Sequence, residues 1–264
     1  MDRDFIEKIH ELTAKGEPFA VATVVKIQGS ASAKAGSKAI ILNNGERLMG
    51  WVGGGCAEST VQKEALAAMK DGKPRFLTLD LDDEVLGVGM PCGGSMEVYV
   101  EPVLSNPDLL IIGHGRIAES LAELGHLLNF TVTVRDPLAT KENFPHAHHL
   151  ITGDPELKSI KIGSGTYVII ATQHKGDHLA MKRVLEEGAG YVALIASKKR
   201  SGLVFEYLRE EGVSAEKLKE VRAPAGLDLG AESPEEIALA IMSEIISLRR
   251  GGSGKPLMEV KKAT

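Results

Sequence analysis

The chain has 264 residues, 43% hydrophobic and 25% charged, an ordinary globular composition with enough apolar material for one large or two medium domains. Its net charge of −5, without a dominant basic tract, argues against nucleic-acid binding. Two cysteines are too few for a disulfide framework, the N-terminus lacks the apolar core of a signal peptide, and no apolar run could span a bilayer, so we expect a cytoplasmic protein.

Residues 1–104 predict a small α+β domain. An amphipathic helix begins near Phe5 and stops at Gly16, and Asn44-Gly45 is typical of a hairpin turn between two strands. A further helix is predicted directly after Cys56. The other strands are expected at residues 19–27, 75–81 and 95–101.

Residues 105–250 alternate strand and helix, which predicts a Rossmann-type, doubly wound parallel sheet. Pro102 and Pro107 disfavour both helix and central strand, so we place the domain boundary near them. Strands are expected at residues 108–112, 131–134, 167–170 and 191–195. Ser233, Pro234 and Glu236 form a capping box that begins the last helix, and residues 251–264 are expected to be a mobile tail.

The two cysteines stand among glycines, Cys56 after Gly54-Gly55 and Cys92 before Gly93-Gly94. Glycines permit a sharp bend or the close approach of another molecule. A helix N-terminus also lowers the pKa of a thiol, so Cys56 is a candidate nucleophile or soft metal ligand. The alternative is two buried, inert cysteines beside tight turns.

The run Gly113-x-Gly115-x-x-Ala118 lies between a predicted strand and a predicted helix. That setting favours nucleotide binding, with phosphates at the helix N-terminus beside His114, Arg116 and Ile117. Asp136, after the next strand, is placed to accept a hydrogen bond from a ribose hydroxyl, which favours NAD over NADP. The alternative is a domain that kept the turn and lost the ligand.

Other polar clusters carry weaker signals. His174 and Asp177 are expected to line the crevice at the strand ends, and His174 with His178 has metal-ligand spacing but lacks a following glutamate. His146, His148 and His149 are expected in a solvated loop. The basic run Lys198-Lys199-Arg200 either neutralises phosphates or forms an exposed helical turn.

The chain resembles the XdhC/CoxI family, also called CoxF-like proteins, across nearly its whole length. The residues that carry the resemblance are the two cysteine segments, Gly113-His114-Gly115, Thr172 to Asp177, Ser197 to Arg200, and Ala225 to Ala238. Ala196 and Ala225 depart from the usual family residues, which affects fine geometry only. Members are maturation factors of molybdenum hydroxylases such as xanthine dehydrogenase and carbon monoxide dehydrogenase.

The resemblance implies binding of the molybdenum cofactor, as molybdopterin or its dinucleotide form, help with its sulfuration, and delivery to an apo-hydroxylase. Cys56 and Cys92 would handle sulfur or contact molybdenum. The residues expected to hold the cofactor or a nucleotide such as NAD(P) or FAD are Gly54, Gly55, Gly113, His114, Gly115, Arg116, Ile117, Asp136, Thr172, Asp177, Ser197, Lys198 and Asp228.

This assignment predicts a cofactor chaperone more than a turnover enzyme, a homodimer, and a cysteine desulfurase as a further partner. One rival is an NAD(P)- or flavin-dependent oxidoreductase that uses Cys56 or His174 as its catalytic group. Another is a purely structural adaptor, which would carry neither nucleotide nor pterin.

Overall fold

The computed structural model describes residues 2–80, 94–172 and 177–260. The chain divides into two compact units, residues 1–105 and 106–264. As the sequence predicts, the fold is α/β, with an α+β unit followed by a unit built on a parallel sheet. Among the described helices, none is both long and apolar enough to cross a membrane.

The first unit contains a five-stranded antiparallel sheet in the order β3-β2-β1-β5-β4. Its elements are α1 (Arg3–Lys15), β1 (Phe19–Gly29), β2 (Lys38–Leu42), β3 (Arg47–Gly50), α2 (Cys56–Asp71), β4 (Arg75–Asp80) and β5 (Gly94–Val103). Each helix packs into its own apolar cluster, α1 with Phe19 and Ile40, and α2 with Val98 and Val100. The Asn44-Gly45 hairpin and the stop of α1 at Gly16 are confirmed.

The strand predicted at residues 95–101 is longer than expected, because β5 continues through Pro102 to Val103. At that point β1 is the only described strand beside β5, since Ala20 pairs with Pro102 while the pairing with β4 begins at Val100. The missing N–H of Pro102 is therefore needed by no second strand among the described residues.

The second unit contains a five-stranded parallel sheet in the order β10-β9-β6-β7-β8. Its elements are β6 (Asp108–Gly113), α3 (Arg116–Leu127), β7 (Thr131–Arg135), β8 (His149–Ile151), β9 (Thr166–Ala171), α4 (Asp177–Glu186), β10 (Tyr191–Leu194), α5 (Lys198–Glu210), α6 (Ala215–Glu220), α7 (Pro234–Arg250) and α8 (Leu257–Val260). Counted from β6, this is the 3-2-1-4-5 order of doubly wound folds.

Alternate residues of the central strand β6 face opposite layers. Leu109 and Ile111 pack with α3 and α7, and Leu110 and Ile112 pack with α4 and α5. The capping box of α7 is confirmed, because the Ser233 hydroxyl accepts a hydrogen bond from the Glu236 N–H and the Glu236 carboxylate accepts one from the Ser233 N–H.

Candidate functional site

The candidate site lies in the second unit, at the carboxyl ends of β6 and β9. The chain leaves β6 for α3 on one face of the sheet and leaves β9 for α4 on the other, which opens the crevice where doubly wound folds bind ligands. Gly113 ends β6 with φ +132°, and a Cβ there would lie 2.4 Å from the Ala171 carbonyl oxygen. This glycine is therefore required for the close approach of the two strands.

A pocket of about 380 Å³ occupies this crevice. The residues that line it are His114, Gly115, Arg116, Ile117, Ala171, Thr172, Ile195, Ala196, Ser197 and Arg200. Two helices begin at the pocket, α3 after its N-cap Gly115 and α5 after its N-cap Ser197. Helix N-termini present free N–H groups and positive partial charge, so the pocket favours an anionic group.

Arg200 is a basic side chain that the fold fixes beside this crevice. Its guanidinium nitrogens lie 3.3 Å from the Thr172 carbonyl oxygen and 3.5 Å from the Thr172 hydroxyl. Arg116 also lines the pocket, but its side chain is 70% exposed and pairs with Glu235 at 2.6 Å and with Glu119 at 3.4 Å. Arg200 therefore places a guanidinium beside the two helix N-termini.

His114 connects the pocket to Asp136, which follows β7. The Nδ1 atom of His114 is buried and lies 3.1 Å from Asp136 Oδ2, within ion-pair distance. Among the described residues, Nδ1 has no hydrogen-bond partner. The other oxygen, Asp136 Oδ1, accepts a hydrogen bond from the Leu138 N–H at 2.8 Å.

The structure brings together most of the predicted residues of the second unit and leaves others apart. His114, Gly115, Arg116, Ile117, Thr172 and Ser197 line one pocket, with Gly113 next to it. Lys198 is exposed and does not line the pocket, and Asp136 is only 6% exposed and stands behind His114. Asp177 is the first residue of α4.

Asp228 is exposed and is not among the residues that line the pocket. The loop at Gly226 and Leu227 docks on α7, because the Leu227 N–H donates to the Ala240 carbonyl and the Gly226 N–H donates to the Glu244 carboxylate. Tyr191 donates to the same carboxylate at 2.7 Å. Burial, chiefly, raises the pKa of Tyr191 far above its ordinary value, so the hydroxyl stays a donor.

Sequence reasoning missed Ala171, Ile195 and Ala196 as pocket residues and singled out Arg200 only as part of a basic run. Ala171 and Ile195 are ordinary apolar residues at strand ends and give no local signal. Arg200 could have been separated from its neighbours by its place three residues after Ser197, the N-cap whose hydroxyl accepts from the Arg200 N–H.

In the first unit, Cys56 is the first residue of α2, as predicted, and Gly55 is the N-cap with φ +60°. Arg47 on β3 pairs with Glu58 in the first turn of α2 at 2.8 Å, which holds this turn against the sheet. Gly53 packs near Met96 on β5, since a Cβ on Gly53 would lie 3.6 Å from the Met96 methyl carbon. Gly54, the next residue, is partly buried.

Cys92 and His174 lie outside the described residues. Within the described ranges, no group of three or more histidine, cysteine, aspartate or glutamate side chains could hold a metal ion. His178 on α4 packs its ring against Tyr207 with centroids 4.4 Å apart.

The expectation that His146, His148 and His149 share a loop is wrong at His149, which begins the short edge strand β8. His148, one residue earlier, accepts a hydrogen bond through Nδ1 from the Val132 N–H of β7 at 3.0 Å. The backbone N–H of His148 in turn donates to the Val132 carbonyl at 2.8 Å. Pairing with β7 therefore organises a segment whose polar sequence predicts a loop.

Comparison with known families gives two matches. The family model described as the XdhC Rossmann domain matches residues 109–245, and the model of the XdhC and CoxI family matches residues 12–81. The first match contains every residue that lines the pocket, and the second contains Cys56.

Three curated proteins are similar in sequence to this chain. The uncharacterized protein YqeB of Escherichia coli is 30% identical over 92% of this chain, which spans 46% of that protein, about half its length. The molybdenum cofactor insertion chaperone PaoD of Escherichia coli is 24% identical, over 90% of this chain and 86% of its own length. A protein of Bacillus subtilis described as a probable xanthine dehydrogenase subunit is 22% identical, over 94% of this chain and 98% of its own length.

A solved structure shares the fold. A crystal structure described as a xanthine dehydrogenase from Bacillus halodurans aligns with a TM-score of 0.51 and 21% identity, over 97% of this chain and 98% of that one.

Proposed function

The chain belongs to the XdhC and CoxI family, and from this membership we propose that it binds the molybdenum cofactor and helps to mature and insert it into a molybdenum hydroxylase. The likeness to the insertion chaperone PaoD supports this function, and the likeness to the Bacillus subtilis protein is consistent with it. The cofactor is cargo in this account, and the chain acts as its carrier.

The observation that carries the proposal is the pocket at the carboxyl ends of β6 and β9. The molybdenum cofactor is a pterin that ends in a phosphate or a dinucleotide. The N-termini of α3 and α5 and the guanidinium of Arg200 offer several donors and positive charge at one place. A phosphate bound there would order the charged end of the cofactor, while Ile117, Ala171 and Ile195 supply apolar surface.

We propose that the cysteine segments handle the sulfur of the cofactor or contact its molybdenum. Thiolates are the protein ligands that suit soft metals and sulfur chemistry, and a helix N-terminus stabilises the thiolate form. Cys56 begins α2 after three glycines, so its backbone position meets this requirement. We propose further that the chain assists sulfuration of the cofactor, with a cysteine desulfurase as the sulfur donor. We also propose that the carrier is a homodimer.

A second candidate is an oxidoreductase that binds NAD(P) or FAD. The 3-2-1-4-5 strand order with a pocket at the switch point favours it, because dinucleotide enzymes use this arrangement. The oxidoreductase function would be supported if protein that carries no pterin turns over a small substrate by hydride transfer.

Purification from cells that make the cofactor tests the carrier function. We expect molybdenum and the pterin absorbance to co-elute with the wild-type chain. Gly115→Val should remove both, because Gly115 has φ +95° and a side chain there would stand at the phosphate position. The backbone strain should cost about 1–3 kcal/mol without unfolding the protein, which a melting curve checks.

Gly163→Val is the matched control, because a Cβ on Gly163 meets nothing within 4 Å and its backbone is not left-handed. This variant should retain the cofactor. Absence of molybdenum and pterin from the wild-type chain, or equal retention by Gly115→Val, would contradict the proposal.

A further inference from the structure

The imidazole of His114 separates the pocket from the carboxylate of Asp136. His114 lines the pocket, whereas Asp136 does not and is only 6% exposed. The buried Nδ1 of His114 lies 3.1 Å from Asp136 Oδ2. A ligand that enters this crevice therefore meets the histidine ring before it can reach the carboxylate.

The carboxylate is also engaged by its own chain. Asp136 Oδ1 accepts a hydrogen bond from the Leu138 N–H at 2.8 Å, and Oδ2 faces His114. In dinucleotide-binding folds, an acidic residue after the second strand accepts a hydrogen bond from the ribose 2′-hydroxyl and so selects NAD. In this protein that contact would require the His114 ring to leave its place.

We propose that His114 is a specificity-determining residue that withholds Asp136 from a ribose. The pocket then recognises the phosphate of its ligand and does not select NAD over NADP. This inference rests on the proposed function only because it treats the pocket as a ligand site. Beyond that function, it names the group of the ligand that the pocket recognises.

The part of the pocket that remains open supports this assignment. It lies on the side of β9 and β10, where Thr172, Ala196 and Ser197 form the wall and Arg200 supplies the charge. Among the described residues, the charged groups around His114 are Asp136 behind it and Arg116 and Arg200 in the pocket, with Glu119 and Glu235 paired to Arg116. This side suits a compact phosphorylated compound, because the recognition groups converge on an anion.

Titration of the full chain with NAD and with NADP tests the inference. We expect the wild-type chain to show no preference between them. His114→Ala exposes Asp136 to the ribose, and a hydrogen bond to a charged group is worth about tenfold or more in affinity. This variant should therefore bind NAD about tenfold tighter than the wild type does and prefer it over NADP, and His114→Ala/Asp136→Asn should lose that gain.

His126→Ala is the control, since His126 lies in the last turn of α3 and does not line the pocket. It should behave as the wild type does. Asp136→Asn alone keeps the oxygen that accepts from Leu138, and it should leave the ratio of NAD to NADP affinity unchanged. If the melting temperature of His114→Ala is too low for titration, Asp136→Asn tests the inference by itself.

Two results would overturn the inference. One is a wild-type preference for NAD that Asp136→Asn abolishes, and the other is a folded His114→Ala variant without any gain in NAD affinity. Neither result depends on whether the chain delivers the molybdenum cofactor to a hydroxylase. A chain that shows the expected nucleotide pattern but carries no molybdenum would contradict the proposed function and leave this inference standing.

Discussion

At the level of single residues, the proposals depend on Cys56 at the start of α2, on His114 beside Asp136 and on Arg200 in the pocket. The glycines before Cys56 and the apolar pattern after it were enough to place this cysteine at the start of α2. The approach of His114 to Asp136 could not be predicted, because it depends on how the turn after β6 lies beside the end of β7. The same holds for Arg200, whose contact with Thr172 joins two strand-to-helix connections.

Alkylation tests the role proposed for Cys56. If the N-terminus of α2 favours the thiolate, Cys56 should react with iodoacetamide near neutral pH, below the ordinary thiol pKa of about 8.5. In the Cys92→Ser background the labelled peptide reports Cys56 alone. Ser59→Cys in a Cys56→Ser/Cys92→Ser chain is the matched control, because it places a thiol about one turn later in the same helix.

Labelling of Cys56 should be several-fold faster than labelling of the cysteine at position 59, because the effect of the helix N-terminus falls off within the first turn. Equal rates at the two positions would show that the start of α2 does not activate the thiol.

At the level of elements, turns and helix starts with strong sequence patterns were predicted correctly, whereas the short elements β8 and α6 were not. The hairpin at Asn44-Gly45 and the capping box at Ser233 contain their own turn chemistry. β8 has three residues and lacks such a signal, whereas the six-residue α6 begins at an N-cap, Ser214, whose hydroxyl accepts a hydrogen bond from the Lys217 N–H. β8 forms because β7 offers it a free edge, which is a property of the assembled sheet. The strand order likewise follows from packing on both faces.

The pairing of β7 with β8 should depend on pH through His148. Burial, followed by the charges of His126, His149 and Lys141, lowers the pKa of His148 below its usual 6.5. Its Nδ1 accepts the Val132 N–H, so a proton on that nitrogen would break the bond. As the pH falls below 6.5, the unfolded chain takes up a proton that the folded chain resists, and stability should decrease.

Urea unfolding at about pH 7.5 and about pH 5.5 measures this effect. The wild-type chain should lose more stability between the two than His148→Asn, which offers an acceptor that does not titrate. His10→Asn, an exposed histidine in α1, is the control and should keep the wild-type pH dependence. An unchanged pH dependence in His148→Asn would contradict this account of the strand pair.

At the level of the whole molecule, the family could be recognised from the sequence and is confirmed, because its motifs extend along most of the chain. The pocket in the second unit required the structure, since its walls come from separate segments of the chain. Which hydroxylase the proposed carrier serves has no signal in composition or in motif spacing. The relative with 30% identity is about twice as long as this chain, so the activity of that whole protein does not transfer.

The carrier function is tested most directly by the molybdenum content and activity of the hydroxylase purified from host cells that lack this chain. We expect the hydroxylase to accumulate as protein with little molybdenum and little activity, and we expect the wild-type chain and Gly163→Val to restore both while Gly115→Val does not. A hydroxylase that is fully loaded and active in the absence of this chain would contradict the carrier function.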